Sequence, residues 1–142
     1  MLTLVEGPAG SGKSQHVADM LAAGEADVVA DLTAQWAALR GVERLDDGRY
    51  PVRLDDDPVI ATGLAAYMRA AVVHQGLRQG LRVVVTSGSP DTAVRWSDVA
   101  REHESPFNVV TIDPGEAVVR ERLAVDGELP DQCEEAVRRW YG

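Results

Sequence analysis

Leu2-Thr3-Leu4-Val5-Glu6-Gly7-Pro8-Ala9-Gly10-Ser11-Gly12-Lys13-Ser14 is a short apolar run that enters a glycine-rich turn. From Gly7 to Ser14 it satisfies the phosphate-loop pattern G-x-x-x-x-G-K-[ST] at every fixed position. That pattern carries weight only between a strand and a helix, and both are expected here. Leu2 to Val5 reads as a buried strand. Val17, Met20 and Leu21 then recur at helical spacing from Lys13 to Ala23, before Gly24 stops the helix. Lys13 is the only lysine in the chain, beside thirteen arginines. An ammonium is a compact point charge that reaches between β- and γ-phosphates, where a forked guanidinium does not fit.

In such a loop, successive backbone N–H groups from Ala9 to Ser14 point inward as an anion nest. The positive end of the helix beginning at Lys13 reinforces it. The expected nucleotide-binding residues are therefore Gly7, Pro8, Ala9, Gly10, Ser11, Gly12, Lys13, Ser14 and Gln15. Lys13 should meet the β- and γ-phosphates and the Ser14 hydroxyl should ligate Mg²⁺. ATP or another nucleoside triphosphate, with Mg²⁺, is the ligand this chemistry implies.

The 142 residues fit one domain, 1–142, and show no repeat, low-complexity tract or linker. Hydrophobic residues make up 45% and charged residues 26%, as in an ordinary globular chain. No apolar run approaches the roughly 18 residues that span a bilayer. The apolar start is too short for a signal sequence, so a cytoplasmic protein without a membrane partner is expected. The formal charge of −9 opposes the phosphate-neutralising contacts of nucleic-acid binding. It does not oppose a small anion held by local dipoles and a few cations, so a small-molecule acceptor or nucleotide is the favoured partner. A protein partner stays open. Cys133 is alone, which excludes an internal disulfide and a cysteine metal site. His16, His74 and His103 show no metal-ligand spacing.

Along the chain, strands are expected at Asp27–Asp31, Arg82–Thr86 and Phe107–Ile112, each followed by a helix. The first of those helices runs through Trp36 and Leu39 to Gly41. Leu45-Asp46-Asp47-Gly48-Arg49-Tyr50 carries an Asp-Gly turn signal. Asp55-Asp56-Asp57-Pro58 reads as a helix start. The helix should run to about Gln79 and bury Ile60, Leu64, Met68, Val72 and Leu77. Asp113 and Glu116 form a capping-box pattern, and a last helix spans Pro130 to Tyr141. Strands alternating with helices imply right-handed crossovers and a three-layer α/β fold of four to five mainly parallel strands.

Asp31 falls at the carboxyl end of the second strand, the edge where open α/β sheets bind ligands. It can hold Mg²⁺ through water, take a proton from an acceptor hydroxyl, or cap the next helix as Thr33 also can. The Arg82–Thr86 strand ends in Thr86-Ser87-Gly88-Ser89, without the acid that motor ATPases place beside the loop. Arg120 and Arg122 follow the fourth strand and are candidates to offset charge on a transferring phosphoryl group. At i, i+2 only one of them can face the nucleotide. Arg69, on the middle helix, is placed to meet an acceptor. Trp36, Trp96 and Trp140 read as packing anchors, and Arg138 and Arg139 as a helix C-terminal charge pair.

The chain resembles the small P-loop kinases of the gluconate, shikimate, adenylate and polynucleotide kinase group. It is closer still to the compact kinase-like P-loop proteins of actinobacteria and their phages, often labelled AAA-type ATPases. The resemblance rests on Gly7–Ser14, on the strand ending at Asp31, and on Val109-Val110-Thr111-Ile112-Asp113-Pro114 leading into Val119-Arg120-Glu121-Arg122-Leu123. It implies a P-loop fold and γ-phosphoryl transfer from Mg-ATP. Asp31 would then orient or deprotonate the acceptor, and Arg120 or Arg122 would act on the transferring group. Two departures stand out. Those kinases often carry Asp-x-Asp where this chain has Asp31-Leu32-Thr33, and their lid is reduced here to the acidic connection Ala124–Leu129. A nucleotide-binding module that hydrolyses weakly or not at all is the alternative these departures support.

Overall fold

The computed structural model describes residues 1–46, 50–51 and 54–142; the Asp47-Gly48 turn lies outside the described residues. In chain order the elements are β1 (Leu2–Glu6), α1 (Lys13–Ala22), β2 (Val28–Ala30) and α2 (Leu32–Arg40). A π-helical segment, Ile60–Ala65, then feeds α3 (Ala66–Arg78). The remainder is β3 (Val83–Ser87), α4 (Ala93–Glu102), β4 (Phe107–Thr111), α5 (Glu116–Val125) and α6 (Pro130–Tyr141).

The four strands form one parallel sheet in the order β2-β3-β1-β4. Every residue of β1 and β3 is buried, because a central parallel strand is covered on both faces. Leu2 and Leu4 of β1 pack with Val83 and Val85 of β3 beneath Val73 and Leu77 of α3 and Trp96 and Ala100 of α4. Val5 and Val84 point the other way, to Val17 and Met20 of α1. Two helical layers therefore sandwich the sheet, the doubly wound arrangement that the alternation of strands and helices implied. Among the described residues no helix is long and apolar enough to cross a membrane.

Register positions the site. Glu6 pairs with Ser87 and Thr111, so β1, β3 and β4 end level with one another. Ala30 pairs with Val85, which brings the next residue, Asp31, level with Thr86. The loops after β1, β2 and β3 thus open on a single edge.

Two local expectations are corrected. Of the stripe Ile60, Leu64, Met68, Val72 and Leu77, only Leu77 is fully buried, and Leu64 is 52% exposed. The buried face is Ala61, Ala65, Val73, Gly76 and Leu77. A π-helical turn holds more residues than an α-turn and so rotates the phase of whatever follows it. Small residues are also needed where the helix crosses α2 and the sheet. Second, Asp113 and Glu116 form no capping box. Gly115, at φ 101°, is the N-cap of α5, and Asp113 instead accepts from the Gly115 N–H (3.0 Å) and the Tyr141 hydroxyl (2.5 Å). Those two donors, Tyr141 first, hold its carboxyl below the usual range. The helix start expected at Asp57-Pro58 is present, and the Asp57 carboxylate crosses to α2. There it accepts from Trp36 Nε1 (3.1 Å) and pairs with Arg40 (2.9 Å).

Gly76 gives a direct test of the packing. A Cβ there would lie 2.6 Å from Val83 Cγ2, a β-branched side chain fixed in a buried strand. Gly76→Ala gains helix propensity of about 1 kcal/mol but must displace that strand, an overpacking cost of about 1–3 kcal/mol. The expected net result in thermal denaturation is a melting temperature lower by several degrees.

Candidate functional site

β1 runs into the loop through Gly7, whose N–H donates to Ser87 O of the neighbouring strand (3.1 Å). Gly7 has no room for a side chain, since a Cβ would stand 2.2 Å from Ile112 O and 2.7 Å from Ser11 Oγ. Gly10 (φ 77°) and Gly12 (φ 101°) take left-handed conformations that let the chain turn back on itself into α1. Gly12 is the N-cap and Lys13 the first helical residue. The first N–H groups of a helix have no intrahelical acceptors, so this end of α1 opens into the loop as a donor surface.

Lys13 Nζ donates to Gly7 O (2.7 Å) and Pro8 O (2.9 Å). Burial lowers its pKa from 10.5 to about 8, with the negative charge of Asp31 working against the shift. The lysine is thus a desolvated cation whose present partners are neutral carbonyls, a group that gains from an incoming anion. The loop fits a polyphosphate on a second count. Ser11 Oγ, inside the turn, is buried and has no hydrogen-bond partner among the described residues.

Asp31 does two things at once. As N-cap of α2 its Oδ2 accepts from the Ala34 N–H (2.9 Å), and its Oδ1 accepts from Thr86 Oγ1 (2.5 Å). The capping role foreseen for this residue or Thr33 therefore falls to Asp31, and it leaves the carboxylate at the edge of the site. Lys13, Asp31, Arg69 and Thr86, with Arg139 from α6, line one cavity of about 420 Å³. A second depression of about 690 Å³ continues from it and shares Ala9, Thr33, Leu54 and Arg139. The oxygen donors of the cavity, Asp31 and Thr86, and the Ser14 hydroxyl next to Lys13 in α1 are of the kind a hard divalent cation such as Mg²⁺ takes.

Arg69 lies over the Trp96 ring, 5.4 Å from its centroid, and its buried Nε has no partner among the described residues. Burial lowers its pKa from the ordinary value, Arg95 adds to this, and Asp31 offsets it. The two arginines of α5 part company. Arg122 Nη1 donates to Gly10 O (3.2 Å) and Ser11 O (3.1 Å) and so clasps the loop. Arg120 turns to Glu116 and Glu134, tying α5 to α6 away from the loop.

Three contributors escaped sequence reading. Arg139, read as one of a C-terminal pair, reaches the cavity while donating to Glu135 (3.3 Å). Thr86 orients Asp31 from 55 residues away. Glu6 ends β1 beneath the loop; its Oε1 accepts from Thr111 Oγ1 (3.0 Å), and its buried Oε2 has no partner among the described residues. A signal for Glu6 existed, as it is the one charged residue in the strand that feeds Gly7.

A parallel sheet whose first strand ends in this loop defines a P-loop nucleotide-binding protein. Residues 2–138 match a family model described as an AAA domain, and the chain belongs to that family. Comparison with curated proteins gave no match.

Arg120 and Arg122 can be separated by experiment. Arg122→Ala removes a charged donor from two loop carbonyls and is expected to weaken nucleotide affinity by about tenfold or more. Arg120→Ala should leave nucleotide affinity unchanged. Paired titrations with a fluorescent ATP analogue check both.

Proposed function

We propose that the chain is a kinase-like phosphotransferase that moves the γ-phosphoryl group of ATP to a small acceptor. The observation that carries this reading is the shared cavity, in which the Asp31 carboxylate lies on one edge with Lys13 of the phosphate loop. Ser14 and, through water, Asp31 would hold Mg²⁺, which would supply positive charge to offset that of the phosphates. Asp31 takes the proton of the acceptor hydroxyl as its oxygen bonds to the γ-phosphorus. The bond from that phosphorus to the β,γ-bridging oxygen breaks, and ADP departs. Thr86 positions the carboxylate for this step, and Arg122 keeps the loop in register.

Lys13, Arg69 and Arg139 set three cations against Asp31 around the cavity, although the whole chain is acidic. An acceptor carrying an anionic group suits that balance. ADP release measured with a panel of nucleosides, nucleotides and sugar acids tests the proposal. Acceptor-stimulated ADP release supports it. Tight ATP binding with no stimulation by any acceptor supports the other reading, a nucleotide-binding module. That reading draws on the absence of an acid at the end of β3 and on the short Ala124–Leu129 connection.

A further inference from the structure

His74 and His103 lie 29 residues apart and neither lines the phosphate-loop cavity, yet the fold brings them together. His74 Nδ1 stands 2.8 Å from His103 Nε2, and the rings cross at 62° with centroids 5.0 Å apart. A carboxylate oxygen of Glu102 completes the group, all three ligand atoms falling within 4.8 Å of one another. The spacing that excluded these histidines as ligands in the sequence is overridden by the packing of α3 on α4.

The geometry points to a divalent transition-metal site, of the Zn²⁺ type, formed by His74, His103 and Glu102. Two imidazoles and a carboxylate are the borderline donors that Zn²⁺ and its first-row neighbours take in preference to Mg²⁺. Two nitrogens bound at about 2.0–2.1 Å in a tetrahedron stand about 3.3 Å apart, so the observed pair needs to open by only about half an ångström. The supports are rigid. His74 follows fully buried Val73 on α3, while His103 is the C-cap of α4, its N–H bonded into the last turn. Glu104, the one residue other than glycine with positive φ among the described residues, completes that turn (φ 52°). Glu102 is exposed with its carboxylate oxygen already in the group, which leaves a fourth position for water. A bound ion would clamp α3 to α4 on one face of the sheet. α3 is also the helix that carries Arg69, so the clamp would brace one wall of the acceptor cavity.

The test uses the tag-free full chain, stripped with chelator and titrated with Co²⁺ and Zn²⁺ in saturating Mg²⁺. The expected result is one equivalent of Co²⁺ with the visible absorption of a four-coordinate ion, displaced by Zn²⁺. Zn²⁺ should also raise the melting temperature by a few degrees. His74→Ala and His103→Ala should each weaken binding at least tenfold and Glu102→Gln less, while His16→Ala has no effect. His103→Gln serves if the alanine variant does not fold. No saturable Co²⁺ binding by the native chain, unchanged binding in the His74→Ala/His103→Ala double variant, or loss in His16→Ala would each overturn the assignment.

Discussion

Lys13→Met should weaken nucleotide affinity by about a hundredfold or more while the far-ultraviolet circular dichroism stays unchanged. Nζ now donates to two neutral carbonyls, Gly7 O and Pro8 O. A triphosphate replaces these with charge-assisted bonds worth about 1.5–3 kcal/mol each, and methionine offers none. The same lysine sets a pH dependence. Burial brings its folded pKa to about 8 from the ordinary 10.5. For a base shifted downward, the cost to folding is complete below about pH 8 and disappears as pH rises towards 10.5. Nucleotide needs the charged form, so binding takes up a proton above pH 8. Affinity at pH 9 should be about tenfold below that at pH 7. Calorimetry in buffers of different ionisation enthalpy would register that proton. In Lys13→Met the residual affinity should show no such decline; a slope that survived in the variant would remove Lys13 as its source.

The parts of the molecule that local chemistry dictates could be read from the chain. Gly7 to Ser14 is contiguous, each fixed residue has a backbone or charge reason to be there, and flanking hydrophobic runs revealed β1 and α1. β3 was equally plain, because a buried parallel strand is a continuous apolar run. The middle helix was misread for a physical reason. Ile60–Ala65 is π-helical, so a 3.6-residue period projected from Ile60 lands on the wrong face by α3. Large apolar residues were counted as core, whereas close packing against β3 and α2 uses Ala61, Ala65 and Gly76.

Much of the site depends on separations that no local pattern reveals. Asp31 could be placed at a strand end, but its bond to Thr86 depends on strand order, which puts β3 between β1 and β2. Arg122 touches loop carbonyls more than 110 residues away in sequence, and the i, i+2 spacing allows at most one of the two arginines to face the loop, with nothing local to say which. Arg139 reaches the cavity only because α6 folds back onto α5 through Val119, Leu123 and Val137. The His74–His103 pair has the same origin, a helix-on-helix contact rather than a spacing.

Asp31→Asn should lower acceptor-dependent phosphoryl transfer by about 10²–10⁴-fold when measured at saturating Mg-ATP. The carboxylate now has one oxygen on the Ala34 N–H and the other on the Thr86 hydroxyl. Asparagine is as good an N-cap as aspartate, so its remaining oxygen can keep the Ala34 bond and α2 should stay formed. Its amide can donate to Thr86, whose hydroxyl then accepts in place of donating. What asparagine cannot do is take a proton from an acceptor or carry the charge that helps hold a cation. Asp31→Ala, by contrast, removes the cap as well and should cost about 1 kcal/mol of stability. The comparison separates the two duties of one side chain. Thr86→Val adds a third arm. It keeps the base but frees one oxygen, so kcat should fall by less than in Asp31→Asn, with little change in melting temperature. If transfer in Asp31→Asn matched the native chain, Asp31 would be a helix cap and nothing more. The proton acceptor would then have to be sought among the other carboxylates of this edge, beginning with Glu6.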